Sequence, residues 1–161
     1  MSEFETKSKT KTPKVEIQAT ETKAIEAAVK EITKPKYDPT VLLAIFDDII
    51  FQGEYAEDVT IKNKLRVTFR TRSAKEISAI TREIDKTSNN LVTTQNEQRS
   101  LLNLYYGLVH YQGKKLGEMP YAERVEFIDS LPGPIIGALM NAFTEFDAKV
   151  YAACQEGEEN F

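Results

Sequence analysis

Apolar residues are spread unevenly along the chain, and the unevenness divides it. Residues 1–22 are polar, rich in Lys, Thr and Glu, and carry no apolar periodicity. Such a segment cannot offset its own ordering entropy, so disorder in free solution is expected. Between Lys23 and Lys34, Ile25, Ala28, Val29 and Ile32 fall on one helical face. About three turns of helix do not persist alone in water. That stripe therefore needs a surface to lie on, either the protein's own or a neighbour's. Pro35 closes the segment, which sets residues 1–36 apart as an extended arm.

A compact domain over 37–155 is expected to follow. Asp38 then Pro39 is a helix start: a carboxylate for the free N–H groups, then proline where no N–H is needed. Leu42, Ile45, Phe46, Ile49 and Ile50 give that helix an apolar face, and Gly53 supplies its stop. Val59 and Ile61, the turn Lys62-Asn63-Lys64, and the alternation of Leu65, Val67 and Phe69 with Arg66, Thr68 and Arg70 predict a β-hairpin at about 57–71.

Everything after the hairpin reads as helix. Ser73 with Glu76 is a capping box ahead of Ile77, Ile80 and Ile84. Thr87-Ser88-Asn89-Asn90 breaks the pattern, and Thr94 with Glu97 predicts a second capping box. The helix it opens runs through Leu101, Leu104, Tyr105, Leu108 and Val109 to Gly113. Pro120 begins another, with Val125, Phe127 and Ile128. Leu131-Pro132-Gly133-Pro134 joins it to a last helix with Ile135, Leu139, Ala142, Phe143, Phe146 and Val150 on one face and Tyr151 beside it. Residues 156–161 read as an acidic tail that frays. The predicted class is mostly α with one small β-hairpin (α+β), a helical domain preceded by an N-terminal arm.

Composition narrows the function. Twenty-five acidic against 21 basic residues leave a net charge of −4, which argues against a generalised nucleic-acid or membrane binder. No apolar run approaches the roughly 20 residues a bilayer span needs. One cysteine, Cys154, forbids an intrachain disulfide, and Met-Ser-Glu-Phe-Glu-Thr-Lys lacks the layout of a signal peptide, so synthesis in the cytoplasm is expected.

Candidate chemistry is thin. His110 is the lone histidine and falls near a predicted helix end, where a protonated imidazole suits the dipole. Cys154 sits beside Ala152 and Ala153 as a small packing residue, and one His with one Cys cannot make an ordinary zinc site. Asp47 and Asp48 are adjacent, so in a helix their side chains diverge by about 100°. The glycines match neither a dinucleotide nor a P-loop spacing. Gly107 and Gly137, inside helical patterns, point to close helix–helix approach. No catalytic residue, cofactor or metal is assigned.

Lys62, Lys64, Arg66, Arg70, Arg72 and Lys75 are the densest basic group in this acidic chain. They suit a solvated edge, an acidic protein surface, or, less well, nucleic acid. Ile45-Phe46-Asp47-Asp48-Ile49-Ile50 through Gly53, then Val59-Thr60-Ile61, then Val67-Thr68-Phe69-Arg70-Thr71 through Glu76 resemble small tail-assembly proteins of bacteriophages. Those include tail assembly chaperones and baseplate-hub assembly proteins of contractile-tailed phages. The resemblance covers residues 40–86 and a general likeness of the helical remainder, and the long arm departs from a compact chaperone. It implies a non-enzymatic structural or chaperone-like component of tail or baseplate morphogenesis, working in the host cytoplasm, with the virion tail as a destination. The implied partners are other tail or baseplate proteins, self-association included, with no membrane. The expected contact residues are Ile25, Val29 and Ile32 on the arm and Arg66 and Arg70 on the hairpin. A nucleic-acid-binding adaptor using the basic hairpin is the alternative.

Overall fold

The computed structural model describes residues 36–87 and 92–160. Ile25, Val29 and Ile32, the whole arm stripe, and Ser88–Asn90 of the expected break lie outside the described residues. From Tyr37 onward the chain forms one unit. Its described elements are α1 (Pro39–Gln52), β1 (Ala56–Ile61), β2 (Leu65–Arg70), α2 (Ala74–Asp85) and α3 (Val92–Gly107), then β3 (Leu108–Tyr111), β4 (Lys114–Lys115), a 3-10 turn (Leu116–Glu118), α4 (Tyr121–Asp129) and α5 (Gly133–Glu159). The class is α+β and mostly helical. No described helix is long and apolar enough to cross a membrane.

Local rules set the first half. Asp38 accepts a hydrogen bond from the Thr40 N–H at 2.8 Å, and Pro39 opens α1. Gly53 stops the helix at φ +80°, a left-handed conformation, with its N–H on the Ile49 carbonyl. The turn between β1 and β2 places Lys62 and Asn63 at positive φ and pairs Ile61 with Leu65. Ser73 and Glu76 form the reciprocal capping box of α2.

Glu76 has a second task. Its carboxylate holds Arg70 through two hydrogen bonds of 2.6 and 3.1 Å. Burial pushes the carboxyl's pKa up, but the bonds from Arg70 and Ser73 outweigh that and leave it lowered. A depressed carboxyl contributes stability above its unfolded value of about 4.3, lost as pH falls through the folded value. Glu76→Gln keeps the cap and loses the charge. It should cost about 1 kcal/mol at pH 7 and progressively less as pH falls through the folded value, read by urea denaturation across that range.

The sheet is larger than the hairpin the sequence suggests: four antiparallel strands in the order β1-β2-β3-β4. The helix expected to reach Gly113 ends at Gly107, and Leu108–Tyr111 turns into a strand. A Cβ on Gly107 would lie 2.2 Å from the Phe143 ring, so α3 ends where it meets α5 most closely. Gln112 and Gly113, both at positive φ, then close a two-residue turn between β3 and β4. His110 therefore lies within a strand and not at a helix end. A shift in β2–β3 pairing at Val109 keeps both Leu108 and Phe69 in the core.

Leu65, Val67 and Phe69 on the inner face of β2 join Leu104, Leu108, Leu116, Ile128, Leu139, Phe143 and Phe146 in the main core. Helix α5, about 40 Å long at 27 residues, serves two clusters. Its first half covers the sheet and α3, and its second half packs Ala153 against Leu42 and Ile45 of α1. A Cβ on Gly157 would lie 2.3 Å from the Phe46 ring. That close packing holds Glu156–Glu159 in helix, so the acidic tail expected from residue 156 is instead the last turn of α5. Helix α3 begins by Val92, which puts Thr94 and Glu97 inside it instead of at its cap.

Gly137, by contrast with Gly107, has nothing within 4 Å of a built Cβ. Close approach is therefore found at Gly107 and absent at Gly137. Gly137→Ala should stabilise the fold by up to about 1 kcal/mol through helix propensity. Gly107→Ala should destabilise it by about 2 kcal/mol through overpacking. Thermal unfolding of the two variants side by side checks the pair.

Candidate functional site

Helix α1 has more apolar surface than its packing uses. Leu42 and Ile45 are buried against α5, with Ile49 half-buried beside them. Val41, Leu43, Ile50 and Phe51 remain exposed, Ile50 at 53% and Phe51 at 83%. Half of the eight large apolar side chains exposed among the described residues thus sit on this 14-residue helix. Leu43 and Ile50, seven positions apart, share one face, with Asp47 between them and Phe51 beside. Ile50 is not part of the buried face, as its spacing suggests, and Ile77 of α2 is likewise 48% exposed. Scattered exposed leucines are ordinary, and an apolar group concentrated on one helix is what makes α1 the candidate surface.

The basic group around the hairpin does not form one patch. Arg70 is held by Glu76 and by the Thr71 carbonyl, with its side chain 20% exposed. Arg72 turns inward: its guanidinium binds both carboxylate oxygens of Asp147 and the Asn103 side-chain carbonyl, 5.2 Å above the Phe143 ring. Lys62, Lys64, Arg66 and Lys75 stay exposed. Of the two arginines expected at a partner contact, the structure brings Arg66 to the open surface and gives Arg70 an internal partner.

The outer sheet face carries the nearest thing to a chemical row. Asp58, Thr68, His110 and Lys115 stand opposite one another across all four strands. The Thr68 hydroxyl donates to Asp58 at 2.6 Å. A nucleophilic threonine would instead give its proton to the histidine, so this order does not make a triad. His110 Nδ1 is buried with no hydrogen-bond partner among the described residues. Asp47 and Asp48 do not converge, and Asp48 accepts from Gln52 at 2.9 Å. Burial pushes the Cys154 thiol's pKa up, with Glu158 adding to it, so its reactive thiolate is disfavoured at neutral pH. No group of three or more His, Cys, Asp or Glu able to hold a metal occurs among the described residues.

A second groove, between α2, α3 and α4, is lined by Ile80, Leu102, Tyr105, Tyr106, Tyr121 and Val125. Arg82, Glu83 and Lys86 stand along it as well, and its tyrosines are already engaged. Tyr106 and Tyr121 stack at 4.7 Å, and the Tyr105 hydroxyl donates to Asp129. Burial raises the pKa of both Tyr105 and Tyr121, which keeps their phenols protonated. Arg124, buried beneath, donates to the carbonyls of Leu116, Tyr105 and Met119 at 3.1–3.2 Å and staples the end of α3 to the 3-10 turn. Burial lowers its pKa.

Sequence periodicity missed the exposed face of α1 and the inward roles of Arg72 and Arg124. The signal for the first was present: Val41, Leu43 and Phe51 exceed what a one-sided helix requires. Comparison with family profiles, with characterised proteins and with solved structures finds no match.

Proposed function

We propose that this protein is a non-enzymatic, protein-binding component of phage tail or baseplate morphogenesis, structural or chaperone-like, that docks a tail or baseplate subunit on α1. The carrying observation is the exposed apolar group of Leu43, Ile50 and Phe51 on a helix whose opposite side is already packed. The tail assignment rests on the resemblance of residues 40–86, which contains this helix and the hairpin. Arg66, exposed on the neighbouring hairpin, suits an acidic rim, where ion pairs orient a partner more than they hold it. The arm stripe of Ile25, Val29 and Ile32 is a second anchor in this reading.

The nucleic-acid alternative is weaker because Arg70 and Arg72 are engaged by Glu76 and Asp147. The two readings separate on co-expression of the tagged chain with tail-tube, sheath and baseplate subunits from the same source. Retention of one subunit that survives high salt is expected, since apolar anchors are not screened. Retention of nucleic acid, lost steeply as salt rises, with no subunit held, overturns the assembly reading.

A further inference from the structure

Strand β1 is an edge of the sheet, and its free side is patterned. The Lys64 N–H reaches the Ile61 carbonyl at 3.1 Å and the Thr71 N–H reaches the Tyr55 carbonyl at 2.8 Å. By alternation, residues 55, 57, 59 and 61 turn their backbone groups toward β2, and Ala56, Asp58 and Thr60 turn theirs outward. No hydrogen bond among the described residues takes up those outward groups. Beside the edge runs a groove of about 590 Å³ between β1 and the first half of α5. Its walls are Val59 and Ile61 on one side and Gly137, Ala138, Asn141 and Ala142 on the other. The space open above Gly137 shows that no side chain of the described fold fills it. The Lys149–Glu57 ion pair, at 2.6 Å, ties the far end of β1 to α5.

Such an edge fits an extended segment that adds a strand, with apolar side chains at every second position entering the groove and polar ones facing out. The arm, which has no helical apolar periodicity over residues 1–22, contains one short period-two run: Val15-Glu16-Ile17-Gln18-Ala19-Thr20 alternates in that way. Six residues within a polar arm carry little meaning by themselves, and acquire it beside a free edge. Fifteen residues separate Thr20 from Lys36, and extended they reach about 50 Å, enough to cross to a neighbouring copy.

We infer that residues 15–20 of one copy add as a strand to the β1 edge of a second copy, with Val15, Ile17 and Ala19 in the groove against α5. Reciprocal exchange of arms closes a two-fold pair, and one-way exchange builds rings or open stacks. It deepens the assembly reading by naming how copies are linked, and it does not involve α1.

Cysteine cross-linking in the full chain tests it, in a Cys154→Ala background. One preparation carries Gln18→Cys. Three others, of distinguishable mass, carry Ala56→Cys, Asp58→Cys or Thr60→Cys. A disulfide needs Cα atoms within about 7 Å, so mild oxidation of each mixture scans the register. The expected result is a mixed cross-linked species for at least one edge position. It should exceed the product formed with Ser78→Cys, exposed on α2, and vanish when Ile17→Asp is added. A cross-link found solely within one chain carrying both cysteines, or none above the Ser78→Cys control, overturns the inference. Tail-subunit retention through α1 would survive that outcome, so the two failures are distinguishable.

Discussion

Phe69→Ala should lower the unfolding free energy by about 4 kcal/mol, the middle of the range for removing a buried aromatic ring. Phe69 is completely buried, one residue from the end of β2. Its ring meets Phe143 edge-on at 5.1 Å and Phe146 at 5.9 Å, and those two lie 5.6 Å from each other. Tyr55 stacks on Phe146 at 6.0 Å and extends the cluster to the start of β1. The ring thus couples the sheet to α5, and its removal leaves a cavity between them. Domains of this size have about 5–15 kcal/mol of stability in all. Urea denaturation reads the change as a lowered midpoint with an unchanged slope. A loss below about 1.5 kcal/mol would mean that the cluster repacks and is not the hub of the core.

Arg72→Ala should cost about 3 kcal/mol at pH 7, the low end for breaking a buried ion pair. The low end applies because the Asp147 side chain keeps one-third of its exposure and recruits some water. Three contacts go at once: the Asp147 pair, the Asn103 hydrogen bond and the stacking on Phe143. Burial raises the Asp147 pKa even with Arg72 beside it, and Arg72 pulls in the opposite direction. Without the arginine the carboxyl moves further up. A raised carboxyl favours the fold while protonated, and that advantage is lost as pH rises through its folded value. The Arg72→Ala penalty should therefore shrink toward pH 4 and be largest near neutrality. Denaturation of the variant and the unaltered protein at both pH values checks the slope. A penalty that grows on acidification would contradict it.

The first half of the fold was legible because its signals are local. Asp38-Pro39 and Gly53 bound α1, Ser73 with Glu76 opens α2, and Leu65-Val67-Phe69 alternates in β2. Leu108–Tyr111 was misread because Leu101, Leu104, Leu108 and Val109 continue a helical spacing. The chain leaves the helix after Gly107, which lies under the Phe143 ring, and pairs with β2 instead, contacts made through tertiary packing. Gln112-Gly113 was the available cue to the second hairpin. The last turn of α5 looks like a solvated tail by composition and is held by Phe46 against Gly157. Periodicity places apolar residues on a helix but does not say which of them a neighbour covers. For that reason the face of Leu43, Ile50 and Phe51 emerged from the packing of Leu42 and Ile45. The basic cluster misled for the same reason: Arg70 and Arg72 look free in sequence until Glu76 and Asp147 are placed beside them.

The most direct test of α1 as the docking surface is binding of the Ile50→Ser, Phe51→Asp double variant, measured beside its melting temperature. Both side chains are more than half exposed, so the variant should melt within a few degrees of the unaltered protein. Its retention of the tail or baseplate subunit should be lost, because each buried apolar anchor contributes about 1.5–3 kcal/mol to a contact. Undiminished retention by a well-folded double variant would contradict the account.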